Sequence, residues 1–314
     1  MIHKSAIIDK SAKLDSNVNV GPFSIIGPEV EIESGTSIGS HVVIEGPTTI
    51  GKNNKFFSFS SIGGDPQDKK YNDEKTFLEI GDNNTIREGV TINRGTVQEH
   101  SKTIIGSKNL LMAYVHVAHD CIIEDDVVMV NNSAIAGCVR LERGVILGGF
   151  SLVHQFCNIG AFSFSAMGSA ISKDVPAFIR VSGNPAKARG LNTTGISRLN
   201  LSKTVSHSLK EAYKILYLRK MTLEAAKKEI YIKFDQIPEI DLFLNSINIS
   251  DRPKDLVCGD LVCIKRNEIP SLFADTVSFM NINEVSPIFT NSSGFHIIKL
   301  TDQRKSGKIL VQQH

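Results

Sequence analysis

Apolar residues return at every sixth position along the first half of this chain, and few backbone structures share that interval. The run Ile2, Ile8, Leu14, Val20, Ile26, Ile32, Ile38, Ile44, Ile50 is unbroken. It continues through Phe56 and Ile62 and resumes at Ile80, Ile86 and Ile92. A third run goes from Ile105 through Leu111, Val117, Ile123, Met129, Ile135, Leu141, Leu147, Val153 and Ile159 to Ile171, with Ser165 as its polar member. A helix repeats every ~3.6 residues and a strand every second one, so neither element alone produces this register. Glycine often follows the aliphatic position, as at Gly21, Gly27, Gly39 and Gly51, where a tight corner benefits from the missing Cβ.

A six-residue step of this kind is the signature of a solenoid built from short strands and corners, a parallel β-helix. Three strands close one triangular coil of about 18 residues, and the inward aliphatics stack coil upon coil. With neighbouring strands about 4.8 Å apart, some ten coils make a prism on the order of 50 Å long.

Two gaps in the register mark segments that leave the prism, one from about Gly64 to Phe77 and one from about Arg94 to Lys102. Long excursions from a regular scaffold are often functional, and equally often solvated charged loops. After Pro176 the repeat stops, and from about Ser202 the spacing turns helical, with Leu209, Ala212, Tyr213 and Leu216 on one face. Thr222 is placed to cap a second helix, and Pro238 to open a third that carries Ile240, Phe243, Leu244 and Ile247. Lysine and arginine outnumber glutamate in the first two helices, a surface that is either simply solvated or suited to an acidic partner.

Composition narrows the function classes. A formal charge of +2 over 314 residues does not suggest nucleic acid. No segment approaches the roughly 18 uncharged apolar residues of a membrane span, and no apolar leader follows Met1, so a cytoplasmic protein is expected. Five cysteines, Cys121, Cys138, Cys157, Cys258 and Cys263, include no CxxC pair, which argues against a disulfide framework or a zinc knuckle.

The dipeptide with most chemical potential is His119-Asp120, in Val115-His116-Val117-Ala118-His119-Asp120. The register sends Val117 inward and His116 outward, and puts His119 at an exposed corner. A neutral imidazole can take a proton near pH 7 and a carboxylate can fix its tautomer. Such a pair is also commonly just a solvated dipeptide.

Further strings give the chain a family resemblance. Ser61-Ile62-Gly63, Gln67-Asp68, Lys70-Tyr71, Ile86-Arg87-Glu88, Arg94-Gly95-Thr96-Val97, Asn109-Leu110-Leu111-Met112, Asn131-Asn132, Val153-His154-Gln155-Phe156, Asp174-Val175-Pro176 and Gly183-Asn184, with the His119-Asp120 string, resemble the UDP-N-acetylglucosamine O-acyltransferases that open lipid A biosynthesis. The resemblance implies a left-handed β-helix over 1–190 and a small α-helical domain over 191–256. It implies a cytoplasmic homotrimer with sites between neighbouring prisms and no cofactor or metal. The partners are UDP-N-acetylglucosamine and an acyl carrier protein bearing a 3-hydroxyacyl chain, the carrier received on the basic helices.

Residue by residue, the resemblance makes His119 the general base, Asp120 its orienting carboxylate and the Gly137 N–H an oxyanion donor. Asp68, Lys70, His116, His154 and Gln155 match substrate-contacting positions, and Asn192 and Arg198 positions near phosphates. Met167 matches the floor of the acyl groove. Forcing carbons into a filled groove costs more than each buried methylene gains, so a Met there implies a short donor of about ten carbons. Three positions depart from the family pattern, with Cys138 and Asn93 where histidine is usual and Leu199 in place of one of two adjacent basic residues.

From about Cys258, Gly259-Asp260-Leu261, Glu284-Val285-Ser286-Pro287 and Gly294-Phe295-His296-Ile297-Ile298-Lys299-Leu300 resemble the second half of a parvulin-type prolyl isomerase. A short α+β fragment over 257–314 is expected, lacking the first strand and helix of that fold and one active-site histidine, and so without isomerase activity. A different hexapeptide transferase, acylating an amine, is disfavoured by the Asp68 and Lys70 loop and the His119-Asp120 string, and two further readings of the prism remain open. One is a structural solenoid without chemistry, and the other a metal site drawn from His116, His119 and His154.

Overall fold

The computed structural model describes residues 1–219 and 221–248, and beyond them the strands Ile264–Lys265, Phe289–Asn291, Gly294–His296, Ile298–Gln303 and Lys308–Gln313. Strands of two to five residues recur along the first 191 residues and stack into three sheets of nine, eight and ten strands. Apart from the last, each strand pairs in parallel with the one a full coil away, as Ile122 does with Arg140 and Ile123 with Leu141. The result is a left-handed parallel β-helix.

The inward positions are those of the six-residue register. Ile26, Ile44, Ile62, Ile86, Ile92, Leu111, Val117, Ile123 and Ile135 are completely or almost completely buried in one continuous core. Ser165 is buried as well and shares a 2.8 Å hydrogen bond with Ser151, which satisfies the hydroxyl that interrupts the apolar column.

One corner column is polar and spends its side-chain oxygens on the backbone of the next coil. Thr36 Oγ1 accepts from the Asn54 N–H at 3.1 Å. Asn54 Oδ1 accepts from the Asn84 N–H at 2.9 Å, Asn84 Oδ1 from the Asn109 N–H at 2.8 Å, and Asn109 Oδ1 from the Val127 N–H at 2.7 Å. The Asn54 and Asn84 amides also donate to the carbonyls of Gly81 and Gly106. Each coil thereby caps the turn of the next.

Both expected excursions leave the prism. The first runs between the strands Ser61–Gly64 and Phe77–Ile80, and the second between Thr91–Asn93 and Lys102–Ile105. They are fastened to each other by Arg94, whose buried guanidinium donates to Gly63 O and Asp65 Oδ1 and, at 3.2 Å, to the Tyr71 hydroxyl. Asn93 adds a 2.7 Å bond from its amide to Asp65 O.

The prism ends in an antiparallel strand pair, Ile179–Ser182 with Lys187–Leu191. Four helices follow: α1 (Thr193–Arg198), α2 (Lys203–Leu218), α3 (Leu223–Lys233) and α4 (Pro238–Asn248). Thr222 caps α3 by accepting from the Ala225 N–H, and Pro238 opens α4 as expected. Leu209, Ala212 and Ile215 bury one face of α2. The short α1 carries no periodic signal in the sequence. Residues 1–247 form one compact unit, in which Ser246 of α4 accepts from the Ala177 N–H of the prism at 2.8 Å.

In the second unit, Lys308–Gln313 pairs antiparallel with Ile298–Gln303 and with Ile264–Lys265, and Phe289–Asn291 pairs with Gly294–His296. The helical part of the parvulin-like expectation lies outside the described residues.

Candidate functional site

His119 follows the strand His116–Val117, at the corner where the chain turns from the nine-stranded sheet to the eight-stranded one. Asp120 takes a left-handed backbone conformation there, φ +57°, which aspartate tolerates better than most residues. The expectation of an exposed histidine is corrected by the structure: His119 is only 8% exposed and Asp120 1%. The second excursion folds over this corner, a contact the register could not forecast because the loop has no period.

That loop fixes the carboxylate. Both Asp120 oxygens accept from the Thr96 N–H, at 2.9 and 3.0 Å, and Oδ2 also accepts from the Thr96 hydroxyl at 2.7 Å. Asp120 Oδ2 lies 2.9 Å from His119 Nδ1. An ionised carboxylate can only accept, so against it Nδ1 is the donor, and in the neutral ring the lone pair then lies on Nε2. Among the described residues Nε2 has no hydrogen-bond partner.

One coil further on, in the register that sets Arg140 beside Ile122, Gly137 stands over His119 and Cys138 over Asp120, and the Cys138 N–H donates to His119 O at 3.0 Å. Gly137 is required by this approach. A Cβ on residue 137 would stand 2.5 Å from Cε1 and 2.6 Å from Nε2 of the imidazole. Among the described residues the Gly137 N–H has no acceptor.

The neighbouring groups are charged or polar. His116 Nδ1 lies 2.8 Å from Thr91 Oγ1, and burial, followed by the nearby His119, lowers its pKa. Gln155, a coil above Gly137, hydrogen bonds the Cys138 thiol, whose pKa is pushed up by burial and then by the Glu99 and Asp120 carboxylates. Glu99 is a residue the sequence reading passed over. Burial and then Asp120 raise its pKa, while His100, His119 and the Lys70 ammonium pull the other way. In the first excursion Asp68 Oδ1 accepts from the Lys70 N–H at 2.9 Å.

The remaining expected positions lie elsewhere on the chain. His154 is exposed and lines a shallow cavity of about 230 Å³ with Leu152, Ala170, Ser172, Asn184 and Pro185. Met167, 82% exposed, stands at the corner leading into the strand Ala170–Ile171, across the nine-stranded face from the edge that carries His119. Asn192 spends its side chain locally, accepting from the Gly195 N–H at 3.0 Å and donating to Phe162 O at 2.9 Å, and so caps α1. Arg198 is exposed in the last turn of α1. The three histidines of the metal alternative are not gathered by their free nitrogens. Among the described residues the donor atoms that converge belong to His119, Asp120 and Cys138, all within 4.8 Å of one another.

Comparison with known proteins covers nearly all of the chain. A family model described as UDP-N-acetylglucosamine O-acyltransferase, domain 2, matches residues 174–254, one for bacterial transferase hexapeptides (six repeats) matches 11–46 and 102–137, and one for the PPIC-type prolyl isomerase domain matches 246–302. The acyl-(acyl-carrier-protein)–UDP-N-acetylglucosamine O-acyltransferase of Stutzerimonas stutzeri is 54% identical over 252 residues, 80% of this chain and 98% of that protein. Among solved structures, LpxA from Acinetobacter baumannii is 47% identical with a TM-score of 0.76, covering 79% of this chain and 96% of that one. UDP-N-acetylglucosamine O-acyltransferase from Moraxella catarrhalis is 45% identical with a TM-score of 0.77 over the same shares.

Proposed function

The chain belongs to the UDP-N-acetylglucosamine O-acyltransferase family, and from that premise we propose that His119 is the base with which it transfers a 3-hydroxyacyl chain from acyl carrier protein to the glucosamine 3-hydroxyl of UDP-N-acetylglucosamine. The observation that carries this reading is the imidazole held through Nδ1 by Asp120, with Nε2 unpartnered beside an unpartnered backbone N–H.

In the reaction His119 Nε2 takes the hydroxyl proton as the oxygen attacks the thioester carbonyl. The carbonyl oxygen gains negative charge, which the Gly137 N–H stabilises, a type of contact worth about 3 kcal/mol. Collapse of the tetrahedral intermediate expels the carrier thiolate, which takes the proton back from His119. Asp120 stabilises the transient imidazolium without itself being protonated.

Asp68, Lys70, His116, His154 and Gln155 hold the acceptor, and Arg198 meets phosphate, in a position set by Asn192 through the cap of α1. Lys203, Lys210 and Lys228 are exposed on α2 and α3 without a carboxylate partner among the described residues, which suits an acidic carrier. The exposed Ile7, Ile25 and Leu152 on the nine-stranded face, with Phe23, Phe59, Tyr114 and Phe150 along its leading edge, are apolar surface that a homotrimer covers. A neighbouring prism would also bring the Met167 edge of one chain towards the His119 edge of another.

The test is a mass-spectrometric survey of products from UDP-N-acetylglucosamine and a ladder of 3-hydroxyacyl carrier thioesters. A single O-acylated product with a preference near about ten carbons is expected, since overfilling a groove costs typically 1–3 kcal/mol. Met167→Gly should move the preference to longer chains. A wild type that already prefers long donors, or a Gly variant with no shift, removes Met167 from the acyl floor, while absence of any O-acylation refutes the reaction itself.

A further inference from the structure

The corner above Asp120 carries a thiol, and this changes what the site can bind. His119, Asp120 and Cys138 offer one nitrogen, one oxygen and one sulfur donor within 4.8 Å of one another. Ligand atoms around a tetrahedral zinc ion stand roughly 3.3–3.8 Å apart, given metal–ligand distances of about 2.0–2.3 Å. Closing that difference requires the Cys138 and Asp120 side chains to turn towards each other, Asp120 giving up part of its bonding to Thr96. A second observation is independent of the spacing: the His119 side chain is nine-tenths buried, yet its Nε2 has no hydrogen-bond partner among the described residues.

We infer that His119, Asp120 and Cys138 form a binding site for a borderline-soft divalent cation, Zn²⁺ above all, whose occupation shuts the site down. Mixed nitrogen, sulfur and carboxylate donors favour zinc over magnesium or calcium, which take oxygen ligands. When the ion binds, the Cys138 thiol releases its proton to solvent as the metal–sulfur bond forms, and no electron moves. A metal on either imidazole nitrogen takes away the lone pair that accepts the hydroxyl proton or separates the ring from its carboxylate. The site itself follows from geometry, whereas the loss of activity rests on the proposed role of His119.

The experiment uses the full chain dialysed against a chelator, with Zn²⁺ alone titrated by calorimetry and Co²⁺ as an optical reporter of thiolate ligation. One ion per chain and a sulfur-to-cobalt charge-transfer band are expected. Cys138→Ala should abolish the band and weaken Zn²⁺ by at least about 10- to 100-fold, the loss seen even when partners of metal ligands are removed. Cys157→Ala, at a buried thiol outside the cluster, should change neither. Cys138→Ser, close in shape, serves where the alanine variant fails to fold. Wild-type binding in the folded Cys138 variant, or no binding in the wild type, overturns the site. Turnover, scaled to each protein's own metal-free rate, should fall with Zn²⁺ in the wild type and recover with chelator. Binding without inhibition keeps the metal site and refutes His119 as base.

Discussion

Two corners of the same prism treat their polar groups in opposite ways. At Thr36, Asn54, Asn84 and Asn109 the side-chain oxygens are spent on the backbone of the next coil. At His119 and Gly137 the corresponding capacity is left open, with an imidazole nitrogen and a backbone N–H lacking partners among the described residues. Both corners are buried, so burial does not separate them. What separates them is which groups are left open and how they are placed: the scaffold oxygens accept from the next coil although the Asn109 amide is itself unpartnered, whereas at the site a ring nitrogen and the N–H of the glycine packed against that ring stand open together.

The sharpest way to break this contrast is His119→Ala. Turnover should fall by at least about 10²-fold, the lower end of what general-base assistance contributes, in a variant that still folds because Asp120 keeps its hydrogen bonds from Thr96. A near-normal rate would return His119 to the scaffold class. Asn84→Ala tests the other corner. It strands the Asn109 N–H and the Gly106 carbonyl and should cost about 1–3 kcal/mol in chemical denaturation, while the folded protein keeps its turnover. Equal losses of activity in both variants would erase the distinction. The smallest effect is expected at Lys13→Ala, which removes an exposed ion pair to Glu31. Such pairs contribute little when solvated, so neither midpoint nor turnover should move measurably.

The prism was legible because one side chain in six must point inward, and from Val20 onward each inward residue named from the register is buried where expected, whereas Ile2, Ile8 and Leu14 in the first coil, with no coil beneath them, keep part of their surface exposed. The excursions were legible as gaps. The burial of His119 was not, because it depends on Thr96 reaching Asp120 from a loop without period. Glu99 was missed for the same reason. Cys138 was read as a lost histidine, although adding one coil to 120 already placed it over Asp120. Helix α1 escaped because six residues are too few to display a helical period, and its cap, Asn192, was noticed for its resemblance to a phosphate neighbour rather than for the hydrogen bonds it makes.

The Arg94 clamp has a thermodynamic consequence. A loop that folds around its ligand spends part of the interaction energy on lost conformational entropy, about 1–2 kcal/mol for each residue whose backbone becomes fixed. Here the excursion carrying Asp68 and Lys70 is already fastened through Asp65, Tyr71 and Gly63 to a guanidinium rooted in the next coil. Much of that ordering is complete before any ligand arrives, so a molecule meeting this loop encounters a rigid wall and keeps more of its contact energy as affinity.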